Sequence, residues 1–101
     1  RPLLNASSFQ SVERDFAFLL DENVQSEAIV KAARSVDRNL ISDVTIFDLY
    51  AGTGIEDGKK SVAFSITLQP TKATLTEEEI DGVCKKVVAA VEKATGGSLR
   101  A

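Results

Sequence analysis

The fold of this chain is constrained most by the order of two kinds of segment along it. In one kind the apolar residues have the spacing of a strand, and in the other they have the spacing of a helix. Residues 61–69, and residues 12–20 apart from Arg14, carry apolar side chains at every second position, which is typical of a strand with one buried face. Residues 43–50 are rich in β-branched and aromatic side chains, which also favours a strand. Residues 27–38 instead repeat apolar side chains three and four positions apart, with charged residues between them. This spacing predicts an amphipathic helix between the first two strands.

A second helix is indicated by both its start and its repeat. Thr76 and Glu79 have the spacing of a capping box, in which each residue satisfies a backbone N–H at the helix start. The apolar residues then follow at helical spacing as Ile80, Val83, Cys84, Val87, Val88 and Val91. Residues 95–97 (Thr-Gly-Gly) end this helix, and residues 98–101 form a short last strand. The predicted order is therefore β-α-β-β-α-β.

Two split β-α-β units of this order, each with a right-handed crossover, form a four-stranded antiparallel sheet with both helices on one face. The predicted fold class is α+β, a ferredoxin-like sandwich. Alternation predicts that the helices cover Phe16, Phe18, Phe47, Leu49, Val62, Phe64 and Ile66. It leaves an open face with Ala17, Asp48, Tyr50, Ser61, Ala63 and Ser65. A hairpin that pairs Phe47 with Phe64 and Tyr50 with Ser61 is consistent with this division, whereas Val44 and Ile46 have the wrong parity for it.

Composition excludes several classes of function. With 101 residues the chain is predicted to form a single domain, residues 1–101. It has no histidine and one cysteine, so we expect no internal disulfide, no usual zinc site and no catalytic triad. No apolar run is long enough to span a bilayer, and no secretion signal opens the chain, which predicts a soluble cytoplasmic protein. The net charge of −3 argues against strong phosphate binding by the domain alone.

Few short motifs carry a chemical signal. Residues 53–60 (TGIEDGKK) lack the first glycine and the terminal Ser/Thr of a phosphate-binding loop, so we interpret them as a hairpin turn. Tyr50 is the single tyrosine, and on an open sheet face it could stack on an unpaired base or simply pack at a sheet edge. Asp48 could accept hydrogen bonds from a base edge or be solvated. Arg14 could contact a phosphate or brace the first strand against a neighbouring acid.

Five ordered segments resemble the ferredoxin-fold anticodon-binding domain of phenylalanyl-tRNA synthetases. They are residues 12–17, 46–50, 58–64, 74–79 and 97–100, and the likeness extends from about Phe9 to the end of the chain. The resemblance implies a domain at the C-terminal end of a bacterial β chain, itself non-catalytic, in a heterotetramer with α chains. We accordingly interpret the chain, which begins Arg1-Pro2, as a fragment in which residues 1–8 are a linker.

The resemblance also implies which residues and partners matter. The positions that match tRNA contacts are Ala17, Asp48, Tyr50, Ser61 and, outside the predicted open face, Arg14. The partners would be the tRNA(Phe) anticodon, the rest of the β chain and the α chain, with neither DNA nor a membrane involved. No metal or cofactor is expected in this domain, whereas ATP and magnesium would bind in the α chains of the parent enzyme.

Other functions share this order of elements. The main alternative is an amino-acid-binding regulatory domain, but such domains usually carry glycine between the first strand and the first helix, and residues 21–26 contain none. An acylphosphatase-type enzyme would need its phosphate loop in the same segment. An assembly module that pairs sheets edge to edge would need apolar residues on the open face, at the positions of Ser61, Ala63 and Ser65.

Overall fold

The computed structural model describes residues 10–70 and 74–100, and within them it confirms the predicted ferredoxin-like fold class. The predicted linker at residues 1–8 and the last residue of the predicted final strand lie outside this described part. The elements are β1 (Val12–Asp21), α1 (Glu27–Val36), β2 (Ile41–Tyr50), β3 (Lys59–Leu68), α2 (Glu77–Thr95) and β4 (Ser98–Leu99).

The four strands form one antiparallel sheet in the order β2-β3-β1-β4. The two central strands, β1 and β3, pair without interruption from Val12 opposite Leu68 to Asp21 opposite Lys59. In this register the large apolar residues Phe16, Phe18, Leu20, Val62, Phe64, Ile66 and Leu68 all lie on the same face. The edge strands β2 and β4 then flank this regular pair.

The core lies between the sheet and the two helices. From the central strands it takes Phe16, Phe18, Leu20, Val62, Phe64, Ile66 and Leu68, and from the helices Ile29, Ala33, Ile80, Val87 and Val91. Phe64 stacks on Phe16 with ring centroids 5.3 Å apart and contacts Phe18 in a tilted arrangement at 5.9 Å. Burial of these large apolar surfaces is the main source of folding free energy.

Strand β2 departs from the predicted alternation. Its register against β3 shifts twice, between Ile41 and Asp43 and between Ile46 and Asp48. A β-bulge inserts one extra residue, so apolar residues three positions apart return to the same face of the sheet. Ile41 and Val44 are buried and Ile46 packs against the core. The bulges explain why the parity of Val44 and Ile46 did not fit the expected pattern.

Two predictions about β2 are therefore wrong. Phe47 was expected opposite Phe64 under the helices, but Ile46 takes that place and Phe47 is 57% exposed at the second bulge. Leu49 does pair with Val62 as expected, yet it is 54% exposed because it lies near the end of an edge strand. Beyond the bulge the predicted register is restored, and Tyr50 pairs with Ser61.

Local contacts fix both ends of α2. The Thr76 hydroxyl accepts from the Glu79 backbone N–H at 3.1 Å, and the Glu79 carboxylate accepts from the Thr76 backbone N–H at 2.9 Å, as the capping box predicts. At the other end Gly96 adopts φ 72°, a conformation that glycine tolerates best. Gly97 then passes so close to β1 that a Cβ atom there would lie 2.7 Å from the Leu19 carbonyl oxygen.

Cys84 lies half-buried in α2 beside the core. Burial raises the pKa of the Cys84 thiol, which keeps the sulfur protonated and unreactive near neutral pH.

Neither helix in the described part of the chain is both long and apolar enough to cross a membrane.

Candidate nucleic-acid interface

The sheet face that the helices do not cover, here called the open face, is arranged in rows that cross the strands. One row pairs Tyr50 with Ser61, Ser61 with Leu19 and Leu19 with Ser98. The next row pairs Asp48 with Ala63 and Ala63 with Ala17. Cross-strand partners share a face, and neighbouring strands lie about 4.8 Å apart. Four of the five predicted contact residues, namely Ala17, Asp48, Tyr50 and Ser61, are thus brought together on three adjacent strands.

Tyr50 is held in place although it is partly exposed. Its ring is 45% exposed, and its hydroxyl donates to the Thr53 carbonyl oxygen at 2.6 Å. This bond ties the ring to the hairpin loop, where Gly52 and Gly54 take φ values of 134° and 90° that a larger residue rarely adopts. The loop therefore serves as a turn that orients an aromatic side chain at the rim of the open face.

Asp48 is the exposed acid next to that ring. It follows the second β2 bulge, and bulges commonly re-aim side chains at binding sites. Its carboxylate makes no hydrogen bond or ion pair with any residue in the ranges 10–70 and 74–100. A carboxylate in this state keeps both oxygens available to accept hydrogen bonds from a ligand.

Ser61 differs from its neighbours because it is only 9% exposed. Its hydroxyl oxygen accepts a hydrogen bond from Nη1 of Arg100 at 3.0 Å. Ala17, by contrast, contributes a small side chain to the second row, which leaves space above the centre of β1. Around the small side chain of Ala17, the site thus combines an aromatic ring, a carboxylate without a partner in the described ranges, and the hydroxyl group of Ser61.

Sequence reasoning missed Arg100 and Leu19 as members of the open face. Leu19 has the parity of Ala17 and pairs with Ser61, so the alternation of β1 already contained the signal for it. Arg100 gave no such signal, because its position depends on how the two-residue strand β4 docks beside β1. Both residues enlarge the site beyond the predicted set.

Arg14 is the predicted contact residue that the structure does not bring to the open face. It pairs with Ile66, whose side chain is fully buried on the helix side. Its guanidinium lies 3.9 Å from the Glu77 carboxylate at the start of α2, and it also donates to the Glu13 carbonyl oxygen. The ion pair with Glu77 braces β1 against α2, so Arg14 has the structural role that the sequence left open, with an acid on α2 in place of a neighbouring one on the strand. The bond to Glu13 stays within β1.

Some charged residues elsewhere on the domain form ion pairs. At the loop end of the central strands, Lys59 contacts Asp21 at 2.7 Å, and this hydrogen bond raises the pKa of Lys59. On the helix side, a groove beside α1 is lined by Lys31, Arg34 and Arg38. Lys31 pairs with Glu27 and Arg34 with Asp43 in the same region.

The described residues form neither a metal-binding cluster nor a glycine loop at a helix N-terminus. Within residues 10–70 and 74–100, no group of three or more His, Cys, Asp or Glu side chains could hold a metal ion. The loop of residues 53–60 leads into strand β3 rather than into a helix, so its glycines do not precede a helix N-terminus that could bind phosphate.

Fold and open face together define a class: ferredoxin-like α+β domains that present one uncovered sheet face. Comparison with known families makes the assignment specific, because the ferredoxin-fold anticodon binding domain family matches residues 7–100. The chain belongs to this family. The match covers all the elements of the fold and all the predicted contact residues.

Similar proteins share one name. The chain is 58% identical over 100 residues to a protein of Paramagnetospirillum magneticum, and 54% identical over 101 residues to one of Bradyrhizobium diazoefficiens. Over 100 residues it is 55% identical to a Rhodospirillum rubrum protein. All three are named phenylalanine–tRNA ligase beta subunit. The alignments cover 99–100% of this chain but only 12–13% of each relative, so the chain corresponds to a small part of a much longer protein.

Proposed function

We propose that the open face binds the anticodon of tRNA(Phe) as one module of a phenylalanine–tRNA ligase. The observation that carries this proposal is the convergence of Tyr50, Asp48, Ser61 and Ala17 on three adjacent strands. An anticodon presents unpaired bases, and proteins that read single-stranded RNA combine aromatic stacking with hydrogen bonds to base edges. The open face offers both kinds of group within the area of one nucleotide.

Tyr50 supplies the stacking surface. A ring that is already fixed by its bond to Thr53 loses little conformational entropy when a base stacks on it. Base–aromatic stacking is typically worth about 1–3 kcal/mol and does not depend strongly on which base is present. Tyr50 therefore contributes affinity, and the identity of the base must be read by other groups.

Asp48 supplies a group that distinguishes between bases. The Watson–Crick edge of guanine carries two adjacent N–H donors, which one carboxylate can accept together. Adenine has no such pair, so it would leave the carboxylate partly unpaired at a cost of about 1–3 kcal/mol. Phenylalanine anticodons begin with guanine, and we propose that this is the base that lies over Tyr50 and Asp48. Arg14 stays a predicted tRNA contact from the resemblance, and its position on the helix side does not support it.

The rest of the reaction belongs to other parts of the enzyme. In the proposed assembly, the parent is a cytoplasmic heterotetramer in which the α chains bind phenylalanine, ATP and magnesium. Other domains would hold the body of the tRNA, which makes recognition of the anticodon effectively intramolecular. This division of labour is compatible with the domain's net charge of −3, since the open face need not attract the phosphate backbone by itself.

The test replaces Tyr50 and Asp48 in the full-length enzyme and measures charging of tRNA(Phe). Tyr50→Ala should lower kcat/KM for tRNA by about 10- to 100-fold, the equivalent of a lost base stack, without affecting amino-acid activation. Asp48→Asn should reduce the preference for guanine over adenine at the first anticodon position. Asp81→Asn is the matched control, because it removes the same charge from an exposed position on α2.

Two outcomes would count against the proposal. If Tyr50→Ala lowered thermal stability and charging in parallel, the ring would have a packing role rather than a binding role. If Asp48→Asn kept the full wild-type preference for guanine, the carboxylate would not be the group that reads the base.

A further inference from the structure

Arg100 places a cation on the open face by crossing a whole strand. Its backbone N–H donates to the Ala17 carbonyl oxygen at 2.6 Å, which continues the register set by Leu99 opposite Phe18. From this position beside β1 the side chain extends over the sheet to β3, where Nη1 donates to Ser61 Oγ at 3.0 Å. Arg100 has no carboxylate partner in the described part of the chain.

This hydrogen bond determines whether Ser61 can donate or accept a hydrogen bond when it contacts a ligand. A guanidinium group can only donate, so the Ser61 oxygen acts as the acceptor. A hydroxyl has a single proton, and that proton remains free to be donated outward to a ligand. The nearby positive charge also disfavours the approach of a second N–H donor. Ser61 therefore presents a donor rather than an acceptor.

The position of this donor relative to Asp48 is significant. Ser61 pairs with Tyr50 and Asp48 pairs with Ala63, so Ser61 and Asp48 are diagonal neighbours on the same face. Such neighbours lie about 7–8 Å apart in an antiparallel pair, which leaves room for one base edge between their side chains. The arrangement offers a donor on one side of that edge and a carboxylate acceptor on the other.

We propose that Arg100 is a positioning residue that fixes Ser61 as a hydrogen-bond donor and thereby selects a base with a carbonyl oxygen at the 6-position. This inference rests on the proposed anticodon-binding function. Guanine has an oxygen at that position, next to the N–H groups that Asp48 accepts. Adenine has an amino group there instead. Asp48 reads the 1- and 2-positions of the base, whereas Arg100 and Ser61 read the 6-position.

The experiment uses three tRNA(Phe) transcripts that differ only at the first anticodon position, with guanine, inosine or adenine. Inosine keeps the 6-oxygen of guanine but lacks the 2-amino group, so it separates the two parts of the site. The measured quantity is kcat/KM for charging by the full-length enzyme. Arg100→Ala should lower the guanine-to-adenine ratio by about tenfold and leave the guanine-to-inosine ratio unchanged. Asp48→Asn should lower the guanine-to-inosine ratio.

Three further variants define the role of the side chain. Arg100→Lys should recover part of the guanine-to-adenine ratio, since lysine retains a charged donor. In a Ser61→Ala background, Arg100→Ala should have no additional effect on the ratio, because the arginine acts through the serine. Arg38→Ala is the matched control: Arg38 is also exposed and unpaired in the described part of the chain, but it lines the groove beside α1.

The outcomes separate this inference from the proposed function. An equal loss of charging for all three transcripts in Arg100→Ala would overturn the inference and would indicate a phosphate contact. An unchanged guanine-to-adenine ratio in the same variant would also overturn it. If wild-type enzyme charged the three transcripts equally and Tyr50→Ala had no effect, the proposed anticodon-binding function itself would fail.

Discussion

The two faces of the sheet are made by the same strands and obey different constraints. On the face under the helices, Phe64 is fully buried between Phe16 and Phe18. On the open face, Asp48 and Tyr50 are exposed, and their neighbours are small or polar. The covered face is defined by close packing, whereas the open face is defined by the polar and aromatic groups that lie on it. Stability and recognition can therefore be changed separately by choosing which face to mutate.

The largest effect on stability should come from the covered face. Phe64→Ala removes a ring that contacts two others, and a substitution of this kind typically costs about 3–5 kcal/mol. This is a large part of the total stability of a small domain. Urea denaturation of the domain, followed by circular dichroism, measures the loss. A cost below about 1 kcal/mol would mean that the core collapses readily around the cavity.

The second largest loss of stability should come from a substitution at Gly97, which lies between α2 and β4. In Gly97→Ala the new methyl group would lie 2.7 Å from the Leu19 carbonyl oxygen and 3.2 Å from the Thr95 hydroxyl. We expect a loss of about 1–3 kcal/mol, together with a shift of β4 that moves Arg100 and weakens tRNA charging. Gly82→Ala provides the control, because Gly82 lies inside α2 with no atom near its missing Cβ. That change should stabilise the domain by about 0.5–1 kcal/mol.

A substitution at the start of α2 should lower the stability of the domain without changing the open face. Thr76→Ala removes the hydroxyl that accepts from the Glu79 backbone N–H, and loss of such a cap costs about 1 kcal/mol. Thr76→Ser keeps the hydroxyl and should retain most of the stability. Denaturation midpoints measure both variants. At temperatures where both remain folded, charging of tRNA should be equal to wild type, and a specific loss of charging would contradict the separation of the faces.

The smallest effect should come from the phenylalanine that lies outside the core. Phe47→Ala changes the same residue type as Phe64→Ala, but Phe47 is 57% exposed at a bulge. We expect a change in unfolding free energy within about 0.5 kcal/mol. A loss approaching that of Phe64→Ala would show that Phe47 packs against a surface of this chain. The pair of variants thus measures how much the burial of a phenylalanine ring in the core contributes to stability.

The arrangement of much of the candidate site was predictable because the central strands alternate regularly around their aromatic core residues. β1 and β3 place Ala17 and Ser61 away from the core, and the pairing of Tyr50 with Ser61 could be derived from the hairpin. Phe47 shows where this reasoning fails. In β2 the packed apolar residues Ile41, Val44 and Ile46 are separated by three and two positions, and the strand needs bulges to keep them on one face.

By itself the sequence determined the order of elements, the covered face of the central strands and the cap of α2, because these depend on periodicity and on contacts between near neighbours. The tertiary structure alone decided where β2 bulges, that Arg14 braces α2 and that Arg100 reaches Ser61. Arg100 and Ser61 are 39 residues apart. They meet because β4 pairs with β1 and β1 with β3, and no local pattern in the chain encodes a contact that two successive strand pairings create.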